Sequence, residues 1–187
     1  MAWRSTLDPD FQIAVNKSPA QFRIGNSSFK KTTDLLNSLG LPGNSLVIEI
    51  TEGLLMDTRA DINDQLKALR AIGIEVALDD FGTGYSSMAY LQRFDIDYLK
   101  MDQTFVRGLT PGSRDHAICK TIIEMAHALG MRVIAEGVET QLQHDVLKQA
   151  GCDFAQGYWL GRPVAPGHFP ASGLAHLADL DGGLDPV

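Results

Sequence analysis

The chain has 187 residues, 44% of them hydrophobic and 21% charged, with a formal net charge of -7. That length supports one domain with a sizeable core, and the acidic balance excludes a basic footprint for nucleic acid or an anionic membrane surface. Cys119 and Cys152 make no disulfide framework, no apolar run reaches the ~18 residues of a membrane span, and the polar opening MAWRSTLDPD is no signal peptide, so a cytoplasmic domain is expected.

In chain order, short apolar runs alternate with helical patterns. The run 11–15 is followed by Asn16, and a helical pattern over 29–39 stops at Gly40, a glycine suited to a C-cap. The run 46–50 carries Glu49, with Glu52 just beyond it. A helix over 60–71 places Ile62, Leu66 and Leu69 on one face and stops at Gly73. The run 74–78 ends on two adjacent carboxylates, Asp79 and Asp80. The run 98–101 contains Lys100 and precedes Asp102. A helix over 116–129 repeats the amphipathic scheme with Ile118, Ile122, Met125 and Leu129. The run 132–135 precedes Glu136, a helix over 140–150 stops at Gly151, and the last run, 153–155, ends at Gln156. Each run is brief and mostly apolar, as expected of a strand buried on both faces. Residues 1–178 read as one domain and 179–187 as a flexible tail. The five histidines are scattered and read as structural or solvent-exposed.

Strand, helix, glycine, strand is the grammar of βα units around a parallel sheet. Every run ends on a polar or charged residue, and in a parallel barrel those ends converge on the face where active sites sit. The expected fold is an α/β, (β/α)8 TIM-like barrel with an acidic mouth. A closed barrel of this kind has eight strands over ~250 residues. The sequence shows about six βα units, so the barrel is expected to be incomplete, with the deficit upstream of Phe11. Adjacent like charges at Asp79 and Asp80 repel unless a lysine, a hydrated surface or a metal compensates them.

Six ordered segments then match one family. VNKSPAQF (15–22), EITE (49–52), DDFGTGYSS (79–87), YLKMDQTFV (98–106), VIAEGVET (133–140) and QGYWLGRP (156–163) resemble the EAL-domain family of bacterial phosphodiesterases. Those enzymes linearise the second messenger cyclic di-GMP to pGpG. The Glu-Ala-Leu motif that names the family does not occur in this sequence; it is expected to belong to the missing strands.

The resemblance implies two divalent cations, Mg²⁺ or Mn²⁺, with Ca²⁺ inhibitory. The first is held by Asn16, Glu49 and Asp79 together with the absent motif glutamate, and the second by Asp79, Asp80 and Glu136. It implies Lys100 beside the attacking water and phosphate, Asp102 as its acidic neighbour, a catalytic Glu136, and Gln156 in the substrate pocket. Phe81, Gly82, Thr83, Gly84, Tyr85, Ser86 and Ser87 resemble a regulatory loop anchored by Glu52. Glu139 lies near the mouth or simply at a helix start. The expected partners are cyclic di-GMP, a second copy in a homodimer, and an upstream sensory or GGDEF-type domain in a longer protein. Because one cation ligand is missing, this chain alone is expected to be a weak or inactive enzyme. The alternative is a degenerate EAL domain that binds cyclic di-GMP or a partner protein without catalysis.

Overall fold

The structure, a computed structural model, describes residues 4, 9–23, 26–55, 62–82, 84 and 91–165, and of residues 26–29 the backbone only. The tail expected at 179–187 lies outside the described residues, as do Thr83, Tyr85, Ser86, Ser87, His168 and His176. The chain divides into two compact units, Met1–Tyr98 and Leu99–Val187.

The first unit contains β1 (Ile13–Asn16), α1 (Pro19–Arg23), α2 (Asn26–Leu39), a 3₁₀ turn (Gly43–Ser45), β2 (Leu46–Thr51), α3 (Glu52–Leu55), α4 (Ile62–Ala71) and β3 (Glu75–Phe81). β1, β2 and β3 pair in parallel in chain order, with Asn16 opposite Glu49 and Thr51 opposite Asp79. The apolar centres of β2 and β3 (Val47, Ile48, Ile50, Val76, Ala77 and Leu78) are buried. α4 buries Ile62, Leu66 and Leu69, the face read from its 3.6-residue spacing.

Asp97 ties this helix to the sheet. One carboxylate oxygen pairs with Arg70 of α4 at 2.9 Å, and the other accepts the Val76 N–H at 2.8 Å. The Asp97 N–H in turn donates to the Val76 carbonyl at 2.9 Å. Ion pairing and two backbone bonds therefore hold one register between the start of β3 and the segment entering β4.

The expectation of burial on both faces fails for β1. All four of its residues are exposed, Ile13 at 48% and Val15 at 39%. β1 pairs with β2 on one side, and no other strand among the described residues takes its outer edge. Among the described residues it is an edge strand.

β4 (Tyr98–Met101) begins at the last residue of the first unit and continues into the second. The second unit then contains α5 (Gln103–Val106), α6 (Arg114–Ala128), β5 (Arg132–Glu136), α7 (Gln141–Gln149) and β6 (Phe154–Gln156). β4, β5 and β6 are neighbours in that order, and β5 and β6 run parallel with Glu136 opposite Gln156. α6 opens on Ser113, whose hydroxyl accepts the His116 N–H at 3.0 Å. α7 opens on a capping box formed by Thr140 and Gln143.

The histidines described have structural partners. His127 pairs with Asp153 at 2.8 Å, and the same Asp153 oxygen accepts the Val133 N–H at 2.8 Å. His144 is buried with its ring 4.6 Å from Trp159. Both cysteines are buried and free. Burial pushes the Cys119 thiol up to about 11, helped by nearby Asp115, and the Cys152 thiol up to about 12. Buried thiols with raised pKa values of this kind are structural rather than reactive.

Candidate functional site

In the first unit the parallel register brings the polar strand ends to one end of the sheet. Asn16 closes β1, Glu49 sits opposite it on β2, and Asp79 lies two positions further along β3. Glu49 is buried and Asp79 half-buried. Successive side chains of a regular strand point to opposite faces, which would separate Asp79 from Asp80. The backbone does not stay regular. Asp80 has φ 55°, the left-handed region, which a non-glycine residue occupies at a cost of about 1–3 kcal/mol. The two carboxylates bring oxygens within 4.8 Å of one another. Backbone strain and two adjacent carboxylates thus coincide at one dipeptide, and oxygens of this kind could hold a cation.

Glu52, the first residue of α3, faces the segment that follows. Its Oε1 accepts the Gly82 N–H at 2.9 Å. A Cβ added at Gly84 would lie 2.5 Å from Glu52 Oε2, so this carboxylate fills the space that a side chain at position 84 would need. Gly82 has φ 98°, a conformation that favours glycine. Phe81 is buried at the end of β3. The Glu52 carboxylate therefore accepts the Gly82 N–H and lies against Gly84.

The second unit carries its own set. Lys100 on β4 is 5% exposed, and its Nζ lies 2.7 Å from Oε1 of Glu136, the last residue of β5. A buried ammonium is tolerated only with such a partner, and the short distance marks a charge-assisted bond. Asp102 is buried and caps α5, its Oδ1 accepting the Thr104 N–H at 2.9 Å. Gln156 is exposed at the end of β6, while its carbonyl accepts the Val138 N–H at 3.0 Å. Glu139 is exposed, and its N–H donates to Gln143 Oε1 at 2.8 Å, which places it at the entry to α7.

Two residues escaped the sequence reading. Lys17 follows Asn16 directly and holds its ammonium 4.3 Å from the Phe22 ring centre; burial lowers its pKa from the usual lysine range. Gln143 is a buried amide bonded to the Glu139 N–H and to the Val106 carbonyl at the end of α5. The T-x-x-Q spacing of a capping box at 140–143 was the available signal for it.

The sequence model of the EAL domain matches residues 1–163. The chain belongs to the EAL-domain family. The cyclic di-GMP phosphodiesterase NbdA of Pseudomonas aeruginosa is 42% identical over 154 residues, covering 82% of this chain and 19% of its own. Among solved structures, the MucR phosphodiesterase of Pseudomonas aeruginosa in complex with c-di-GMP aligns with a TM-score of 0.81 at 36% identity, covering 89% of this chain and 67% of that one. BlrP1 of Klebsiella pneumoniae, in a complex with manganese and c-di-GMP, aligns with a TM-score of 0.77 at 32% identity, over 87% of this chain and 42% of that one. The chain spans 21%, 24% and 20% of the length of three curated relatives it matches. The fold class is accordingly the TIM-like α/β barrel of EAL domains, of which the described residues supply six strands.

Replacing Glu52 by alanine removes the acceptor of the Gly82 amide. A net bond to a charged group contributes about 1.5–3 kcal/mol, so hydrogen exchange at the Gly82 N–H should accelerate at least roughly tenfold, with Glu52→Gln intermediate. Unchanged exchange in Glu52→Ala would show that another group holds this segment.

Proposed function

We propose that this chain carries the cation-binding and catalytic residues of a phosphodiesterase that hydrolyses cyclic di-GMP to linear pGpG. The observation that carries this reading is the Asp79–Asp80 pair, its carboxylates within 4.8 Å across a left-handed Asp80. It occurs in an EAL-family chain whose relatives are named for cyclic di-GMP hydrolysis.

The donor set fits hard divalent cations. Asn16, Glu49, Asp79, Asp80 and Glu136 offer only oxygen, which suits Mg²⁺ or Mn²⁺. Asn16, Glu49 and Asp79 would hold one ion, and Asp79, Asp80 and Glu136 a second. When bound, such ions neutralise phosphate charge and acidify a water ligand. In the hydrolysis the water oxygen bonds to phosphorus, the bond from phosphorus to the ribose oxygen breaks, and that oxygen leaves as a hydroxyl carrying a proton from the water.

Lys100, an ammonium with three donors, orients the water and a phosphate oxygen from its position beside Glu136. Asp102 fixes the turn behind Lys100 through its cap on Thr104. Gln156 hydrogen-bonds the substrate. The segment 81–87 acts as the regulatory loop, with Glu52 holding its Gly82 amide. In the longer protein an upstream sensory or GGDEF-type domain would control this site in the cytoplasm. No helix among the described residues is long and apolar enough to cross a membrane.

Without the glutamate of a Glu-Ala-Leu segment, the first cation loses one anionic ligand, and turnover by this chain should fall roughly several hundredfold below that of a version extended to include such a strand. Chromatographic detection of pGpG at limiting Mn²⁺ tests the reading. Asp79→Asn and Asp80→Asn in the extended protein should each lose most activity, and Ca²⁺ should inhibit. Near-normal turnover by both variants contradicts the two-cation site. Binding of cyclic di-GMP without hydrolysis by both lengths supports the receptor reading.

A homodimer belongs to the same proposal. The edge of β1 that no other described strand takes, with exposed Ile13 and Val15, is the surface that strand pairing between copies would protect. Sedimentation at micromolar concentration should show a dimer that Val15→Lys dissociates. A monomer under those conditions overturns it.

A further inference from the structure

The chain leaving Glu136 is held from three sides. At Gly137, φ is 69°, and an added Cβ would stand 2.5 Å from the Gln103 Cβ of α5. Val138 donates to the Gln156 carbonyl at 3.0 Å and accepts the Trp159 N–H at 3.1 Å. An added Cβ at Gly157 would stand 2.1 Å from the Val138 oxygen, so β6 and this segment approach as closely as bare backbone allows. The third hold is a side chain. Gln143 Oε1 accepts the Glu139 N–H at 2.8 Å and the Thr140 N–H at 3.0 Å. Its Nε2 donates to the Val106 carbonyl at 3.1 Å and, more weakly, to the Arg107 carbonyl at 3.4 Å.

A capping box requires only the accepting half of that amide. The donating half reaches α5, the helix whose first turn Asp102 caps just beyond Lys100. Gln143, 7% exposed, therefore spans from the segment behind Glu136 to the segment beyond Lys100 and uses every hydrogen-bonding position of its amide. Those two segments carry the partners of the 2.7 Å contact between Lys100 and Glu136.

We propose that Gln143 is a positioning residue that sets where the Glu136 carboxylate stands relative to Lys100, and so how tightly the Glu136 site holds a divalent cation. This rests on the cation-binding reading above. Groups that orient a metal ligand from behind typically change affinity by about 10- to 100-fold when lost.

The test compares Mn²⁺ binding, followed as the electron paramagnetic resonance signal of free Mn²⁺, in three forms of the full 187-residue chain. Gln143→Met keeps the length and removes all four side-chain bonds. Thr140→Val removes the hydroxyl half of the cap and leaves the tie to α5. Circular dichroism at the binding temperature selects folded samples, and thermal melts report the stability each variant loses. Gln143→Met should weaken Mn²⁺ binding roughly tenfold, and Thr140→Val should match the parent within about twofold although it also melts earlier.

Parent-like Mn²⁺ affinity in folded Gln143→Met overturns the inference and leaves the cation reading standing. Equal weakening in both variants also overturns it, because general loosening of α7 would then suffice. A parent chain that takes up no Mn²⁺ overturns the cation reading and this inference with it. Should Gln143→Met not fold, Gln143→Glu replaces it, since it keeps both accepted bonds and loses the donated pair; the same outcomes decide.

Discussion

Parallel pairing is the constraint on which everything else in this chain depends. Strands that run the same way deliver their last residues to the same end, and a single-residue slip would turn every side chain to the opposite face. Asn16 opposite Glu49, Thr51 opposite Asp79 and Glu136 opposite Gln156 are consequences of register. The buried apolar centres of β2 and β3 enforce that register, because a slip would expose Ile50 and Leu78 and bury charge in their place. Polar strand ends therefore coexist with an ordinary hydrophobic interior only a few residues away.

Charge is managed differently in the two units. In the second, Lys100 and Glu136 offset each other in an ion pair at 2.7 Å whose lysine is buried. In the first, Asp79 and Asp80 bring carboxylate oxygens within 4.8 Å of one another across a left-handed Asp80. Under the proposed function, a bound cation would offset the repulsion between these two carboxylates.

Much of this was legible in the sequence, and the gaps have physical causes. The strands expected at 46–50, 98–101 and 132–135 appear as Leu46–Thr51, Tyr98–Met101 and Arg132–Glu136, since an apolar run bounded by glycine and charge has few other uses. α4 and α6 followed from helical spacing. The four- and five-residue helices Pro19–Arg23, Glu52–Leu55 and Gln103–Val106 did not: one turn gives no periodicity to read, and Asp102 shows itself as a cap only once the Thr104 N–H is placed beside it. β1 looked as apolar as its neighbours, yet burial depends on what covers a strand, which its own residues do not encode. The candidate ligands were legible as residue types after strands. The left-handed turn at Asp80, the Lys100–Glu136 contact and the reach of Gln143 arise from backbone geometry and tertiary neighbours, so they became visible only in three dimensions.

The central claim is that the polar strand ends hold divalent cations, and locating those cations tests it most directly. Crystals of the chain soaked in Mn²⁺ and measured at the manganese absorption edge should give anomalous peaks about 2.0–2.2 Å from carboxylate oxygens of Asp79, Asp80 and Glu136, with a weaker peak beside Asn16 and Glu49. A map with no peak at these carboxylates, in crystals that bind manganese elsewhere or not at all, would contradict the account.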